Sequence, residues 1–249
     1  MHSPRTSDAE ATALADDLHA RLRRLGTPER AAGEQRYLKS ALTHLGVTMP
    51  DTRRAVGEFL TAHPAVDVPT RVALVPCLWD REIYELRQAA VNLLERSRDE
   101  LDADVLDLVE GLLRDAHTWA LVDPLAISAA GAIALRDPRV WARTDRWIVD
   151  NDMWLRRAAL IAHLPAVRAD HDTFPRFSAY ADRVLDEREF FIRKAVGWVL
   201  RDVGRRRPDD VVAWLEPRID RASGVTVREA VKHLATPDRE RLLELYRRR

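Results

Sequence analysis

Five times along the chain a basic residue is followed, after one position, by Ala and then by Ala or Val. The five are Arg53-Arg54-Ala55-Val56, Arg87-Gln88-Ala89-Ala90, Arg156-Arg157-Ala158-Ala159, Arg193-Lys194-Ala195-Val196 and Arg228-Glu229-Ala230-Val231. Their starting arginines are 34, 69, 37 and 35 residues apart. The step of 69 spans two periods, so one copy lacks the pattern. A period of this size matches one helix pair, a unit that buries its apolar face only by stacking on its neighbours. Counting 34 to 37 residues on from Arg87 reaches Leu121 to Pro124, and Asp123 falls in that window. An acid stands there, in the stretch TWALVDPLA from Thr118 to Ala126, where the other copies carry a base. The chemistry is expected at that departure.

Composition agrees with a helical array. Ala, Leu, Arg and Glu dominate, glycines number only 9 in 249 residues, and strand-like alternation is scarce. Leu14, Leu18, Leu22 and Leu25 have helical spacing before a stop at Gly26, and Thr27-Pro28 reads as an N-cap and first helical position. Pro50-Asp51 opens the helix carrying the first copy. Pro64, Pro69, Pro76, Pro138, Pro165, Pro208 and Pro237 are expected between helices. The expected fold is all-α, an α-solenoid of HEAT-like helix-pair repeats whose concave surface is the usual binding face. It is expected to run as a single repeat domain over 9–249, after a flexible tail at 1–8.

Several function classes are excluded at this level. There is no Gly-rich phosphate loop, no HExxH and no plausible serine triad. The lone cysteine, Cys77, allows no disulfide framework or cysteine zinc site and is expected as a small buried residue. The eight histidines show no metal-ligand clustering, so no metal and no cofactor are expected. No secretory signal is evident, and the apolar run Ala120–Leu135 is broken by Asp123-Pro124. A cytoplasmic monomer, nucleoid-associated when on DNA and with no membrane partner, is the expectation.

Formal net charge is zero, but lysine occurs only at 39, 194 and 232, so the basic side is almost entirely arginine. Stacking in register would align Arg53, Arg87, Arg156, Arg193 and Arg228 along one side, a track suited to phosphates. The alternative is structural: each arginine pairs with an acid of the neighbouring repeat. For any single arginine the two readings are balanced.

Trp119 and Asp123 are four apart and share a face if the helix is continuous. Asp123-Pro124 can also be read as an N-cap and first position, in which case Trp119 comes from the preceding turn. The segments DMWLRRAAL (152–160) and EFFIRKAVGWVLR (189–201) add tryptophan and arginine to the repeats that follow. Indole faces and guanidinium groups around an acid suit a cationic guest beside a phosphodiester. Trp147, Trp154 and Trp214 are read as core or structural.

These segments, together with QRYLKSALTHLGV at 35–47, resemble the DNA alkylation repair family of HEAT-like-repeat glycosylases (AlkD type). The resemblance runs from about Arg30 to about Leu234. It implies excision of cationic alkylpurines, such as 3-methyladenine and 7-methylguanine, from double-stranded DNA without a deep base-flipping pocket. It implies Asp123 as the catalytic carboxylate and Trp119 and Trp198 as indoles beside the lesion. Tyr37 is implied as a DNA-side aromatic, and Arg157 as a backbone contact. Arg156, Arg193, Lys194, Arg87 and Arg228 are expected to add phosphate contacts. Thr118 stands where the family is associated with a second tryptophan. The alternative function is a non-catalytic HEAT-repeat module that binds DNA or a protein partner through the same face.

Overall fold

The computed structural model describes residues 8–249. The tail expected at 1–8 lies outside the described residues except for Asp8, which opens the first helix. Among the described residues the regular elements are all helical, and an isolated β-bridge joins Thr43 to Ile83. None of these helices is long and apolar enough to cross a membrane. The chain packs as two compact units, Met1–Val105 and Leu106–Arg249.

The first unit holds α1 (Asp8–Arg23), α2 (Pro28–Leu38), α3 (Met49–Ala62), α4 (Val68–Trp79) and α5 (Tyr84–Ser97). Leu18, Leu22, Val56, Phe59, Leu74, Leu78 and Leu86 meet in its core, and burying each such side chain contributes about 1.5–3 kcal/mol. Thr27 and Pro28 stand at the start of α2 as expected, and α3 opens on a capping contact from the Asp51 amide to the Thr48 hydroxyl. The α2 helix buries none of its residues. Pro76 was expected between helices but lies inside α4. Its ring sits on the exposed side, where water can serve the carbonyl left without a donor. Cys77 beside it is half-buried rather than enclosed.

The turn between α2 and α3 requires one glycine. Gly46 has φ of +82°, and a Cβ there would lie 2.1 Å from the Thr27 carbonyl oxygen. The Glu85 carboxylate receives the amides of Leu45, Gly46 and Val47, so α5 supplies the turn with acceptors that helix and sheet do not.

The second unit begins with α6 (Leu106–Asp115) and α7 (Trp119–Pro124). A π-helical segment, Leu125–Gly131, then leads without a break into α8 (Ala132–Ala134). The helices α9 (Arg139–Trp147), α10 (Met153–Ile161), α11 (Leu164–Arg168) and α12 (Phe174–Val184) follow. Next come α13 (Phe190–Val203), α14 (Pro208–Leu215), α15 (Gly224–Ala230) and α16 (Thr236–Arg248). One row of helices comprises α7 with its π segment, α10, α13 and α15, and the last three carry the repeated pattern. Its Ala and Val pairs are buried, which lets neighbouring helices approach. At Gly197 of α13 an added Cβ would lie 2.7 Å from Glu229 Cβ, so α13 and α15 nearly touch. The second row is tied by side chains. Arg143 of α9 reaches Glu110 of α6, 33 positions away, and the Tyr180 hydroxyl of α12 meets Thr144 of α9, 36 away. Arg218 grips Asp182, also 36 away. The sequence period thus reappears as the separation between bonded partners. This is the helix-pair construction of an α-solenoid.

Glu110 shows what these ties do to stability. Burial acts to raise its pKa, but hydrogen bonds from Trp147, Arg143 and Arg114 outweigh it and hold the carboxyl down to about 2. A carboxyl held below its ordinary value contributes stability that is present above the unfolded pKa and is lost as pH falls through the folded one. The urea midpoint is therefore expected to drop between about pH 4.5 and 2. Glu110→Gln should flatten that part of the curve, and an unchanged slope in the variant would assign the acid loss elsewhere.

Candidate active site

The irregular helix of the second unit positions Asp123. Thr118 has extended backbone (φ −150°, ψ 140°), and its hydroxyl accepts from the Ala120 amide at 3.4 Å, so the helix starts at Trp119. The reading in which Asp123 caps a helix that begins at Pro124 therefore fails. Trp119 and Asp123 lie one turn apart on one continuous helix. Pro124 stays inside it, although it offers no N–H to the Ala120 carbonyl. The hydrogen-bond ladder widens to π geometry at the next residue. Such bulges are a known way to absorb a misfit and are common at functional sites.

Asp123 is held from the next pattern-bearing helix. Arg157 Nε donates to its Oδ1 and Nη2 to its Oδ2, each at 2.7 Å, while Nη1 donates to the Phe191 carbonyl at 2.6 Å. The Arg157 side chain is 4% exposed and that of Asp123 is 14% exposed. A parallel two-bond fork of this kind fixes the carboxylate plane. Each oxygen keeps a further lone pair for a guest or a water. One arginine therefore ties α7, α10 and the start of α13 together around one carboxylate.

Aromatic rings line the same helices. The Arg157 guanidinium lies 5.7 Å from the centroid of the Phe191 ring, which packs on Trp154 at 5.1 Å. Phe190 is exposed and stands edge-on to Phe191 at 5.5 Å. Trp119 is 39% exposed, a large exposure for an indole in a well-packed helix row. Trp198 is half-buried beneath the Arg201 guanidinium, 5.9 Å from its ring, and its indole N–H has no hydrogen-bond partner. Phe191, Lys194, Trp198 and Arg201 recur at helical spacing along one face of α13. Trp154 and the two phenylalanines had been left out of the candidate site. Their signal was the doubled aromatic in EFFIRK beside an arginine pair 34 residues upstream. Trp147 and Trp214 are buried, as expected for core residues.

The arginine track divides. Arg157 spends its donors on Asp123 and Phe191 and is enclosed, so it is not open to a phosphate. Arg156 is also committed, with two 2.9 Å bonds to Glu187 and others to the Asp150 and Asn151 carbonyls. Arg87 is buried in the first unit, donating to the Trp79 carbonyl with its guanidinium 4.6 Å from that indole's centroid. Acids, carbonyls and rings of the chain thus engage all three of these arginines, which the sequence had offered as phosphate contacts. Arg193 donates to the Glu187 carbonyl, and Lys194 pairs with Glu229, but both side chains remain part-exposed. Arg228 is exposed. In the first unit Tyr37 is 75% exposed at the end of α2, just before Lys39 turns the chain at φ 50°.

Comparison with known proteins gives the family and the fold. A family model described as DNA alkylation repair enzyme matches residues 18–234. Among solved structures, a predicted DNA alkylation repair enzyme from Enterococcus faecalis superposes with a TM-score of 0.75 at 19% identity. That match covers 85% of this chain and 97% of the other. AlkD2 from Streptococcus mutans superposes with a TM-score of 0.57 at 17% identity, covering 84% of this chain and all of its own. The protein smu.31 from Streptococcus mutans UA159 gives 0.59 at 17% identity, covering 89% and 100%. At these identities the solved structures speak for the fold. No curated protein sequence matches the chain.

Proposed function

The chain belongs to the DNA alkylation repair enzyme family, and on that premise we propose that it is an alkylpurine DNA N-glycosylase acting on duplex DNA without a cofactor. The observation that carries this reading is Asp123, fixed by the Arg157 fork on a helix interrupted at Pro124, with exposed Trp119 one turn away. A purine alkylated at N3 or N7 is already a cationic leaving group, so no general acid is required. As the C1′–N bond breaks, its electron pair goes to the purine, which departs neutral. Positive charge moves onto the sugar, where a fixed carboxylate stabilises it. The oxygen of a water then bonds to C1′, and the proton it loses passes to Asp123 or to solvent. Trp119 and Trp198 offer indole faces to the cationic base.

Phosphate contacts fall to the part-exposed bases, Arg193, Lys194 and Arg228, with Tyr37 as a DNA-side aromatic. Binding to duplex should therefore weaken steeply with salt. Arg228→Ala should reduce the slope of log affinity against log salt by about 1, equally on damaged and undamaged duplex. A variant with the wild-type slope would take Arg228 off the DNA.

The second reading, a non-catalytic module, has one observation in its favour. The Asp123–Arg157 pair has the same separation, 34 residues, as the Arg168–Asp202 tie. Single-turnover assays on duplexes with 7-methylguanine or 3-methyladenine separate the readings. The glycosylase reading expects free base, and an abasic site on an unbroken strand, well above the spontaneous rate. Release at the spontaneous rate for both lesions would sink it, and salt-sensitive duplex binding would then distinguish a DNA-binding module from a protein scaffold.

A further inference from the structure

The family resemblance leaves unused a cluster in the first unit, beneath the turn that joins α2 to α3. Glu34 of α2, His44 of the turn and Glu85 of α5 each offer a ligand atom, and the three lie within 4.8 Å of one another. The His44 side chain is 1% exposed, yet neither ring nitrogen has a hydrogen-bond partner. Its Nδ1 faces Glu34 Oε2 at 3.5 Å, and that oxygen is also buried and unpartnered. Stacking on Tyr84, at 4.6 Å between centroids, fixes the imidazole plane.

Glu85 is prepared differently. Its Oε1 accepts the Gly46 and Val47 amides at 2.6 and 3.1 Å, while Oε2 accepts only the Leu45 amide at 2.8 Å. Oε2 therefore keeps a lone pair, and the backbone donors orient it as outer-shell groups orient a ligating carboxylate. Two carboxylates share a buried site whose imidazole gives no hydrogen bond to either. The other oxygen of Glu34, Oε1, accepts from Arg30 Nη2 at 3.4 Å, which leaves Oε2 facing His44.

We propose that Glu34, His44 and Glu85 bind one divalent transition-metal cation of the zinc class, which clips α2 onto the N-terminal end of α5. One imidazole and two carboxylates suit such an ion, and three protein ligands leave a fourth position for water. Two donors bound to one tetrahedral ion at about 2.0–2.2 Å lie about 3.3–3.6 Å apart. The His44–Glu34 separation already approaches that spacing. The ion's charge would neutralise the two carboxylates. The clip also has work to do, because α2 buries none of its residues and carries Tyr37.

The test is calorimetric titration of the chelator-treated full chain with Zn²⁺ alone, beside thermal melts. One equivalent should bind. At a hundredfold excess over Kd the melting temperature should rise by about 5–10 °C. His44→Gln and Glu34→Gln should each weaken binding at least about 100-fold. No binding by the wild type, or wild-type affinity in both variants, would overturn the site. If the variants fail to fold, X-ray absorption at the zinc edge of the loaded wild type decides. One imidazole nitrogen with oxygens supports the proposal, whereas two or more imidazoles, or sulfur from Cys77, overturn it.

Discussion

Replacing Asp123 by Asn is expected to lower single-turnover release of 7-methylguanine by about 10²–10³-fold, the loss typical of removing one well-placed electrostatic contact. Asn has the same shape but no charge. Its amide N–H₂ must face either Nε or Nη2 of Arg157, which are both donors, so one of the two 2.7 Å bonds is lost. That mismatch should cost about 1–3 kcal/mol of stability. The assay must therefore run well below the variant's melting temperature, with affinity for undamaged duplex measured alongside. Intact binding with collapsed release places the chemistry at Asp123. Wild-type release by a folded variant would remove Asp123 from the mechanism and make the pair another structural tie. Trp119→Ala is the useful companion: the exposed indole contributes little to the core, so its effect should fall on release rather than on melting.

Arg157→Ala is expected to be the most destabilising single change at the site, costing about 3–5 kcal/mol, because it strands a partly buried carboxylate. It also leaves the Phe191 carbonyl without its 2.6 Å donor and opens a cavity against the Phe191 ring. For a chain of this size such a loss lowers the melting temperature by roughly 10 °C. Arg157→Lys should recover only part of it. An ammonium is a point charge and cannot bond both oxygens of Asp123 in a fork while reaching Phe191. Equilibrium unfolding in urea measures both variants, and a midpoint within error of wild type for Arg157→Ala would show that the pair is not structural. Release by Arg157→Lys under folding conditions reads positioning: a carboxylate held by one bond should release base more slowly even where the fold is intact.

The site was partly legible because its residues depart from a repeat. The register that runs from Arg87 to Arg156 meets an acid at Asp123, and the structure places that acid against the arginine 34 positions on. The start of the helix was not legible. Asp123-Pro124 satisfies the local rules for a cap and first position as well as Thr118 does, and local rules cannot rank them. Packing of α7 and its π segment against α10 decides in favour of Thr118, and it offsets a proline inside the helix. Pro76 in α4 is a second case, where exposure on one side of the helix makes the missing donor tolerable.

By itself the sequence determined the helical class, the period and the stripe of small residues, since each follows from spacing along one helix and the need to bury it. It also marked Trp119, Asp123 and the EFFIRK segment as unusual. Only the tertiary structure decided which bases are committed and which are open. The repeat fixes the angle at which Arg87, Arg156, Arg157, Arg193 and Arg228 leave their helices, but not what lies one repeat away. An acid waits there for Arg157, Glu187 receives Arg156, and the Trp79 carbonyl and indole enclose Arg87. Arg228 stays exposed. Each partner comes from another helix or from the connection before one, and such neighbours exist only once the helices have stacked.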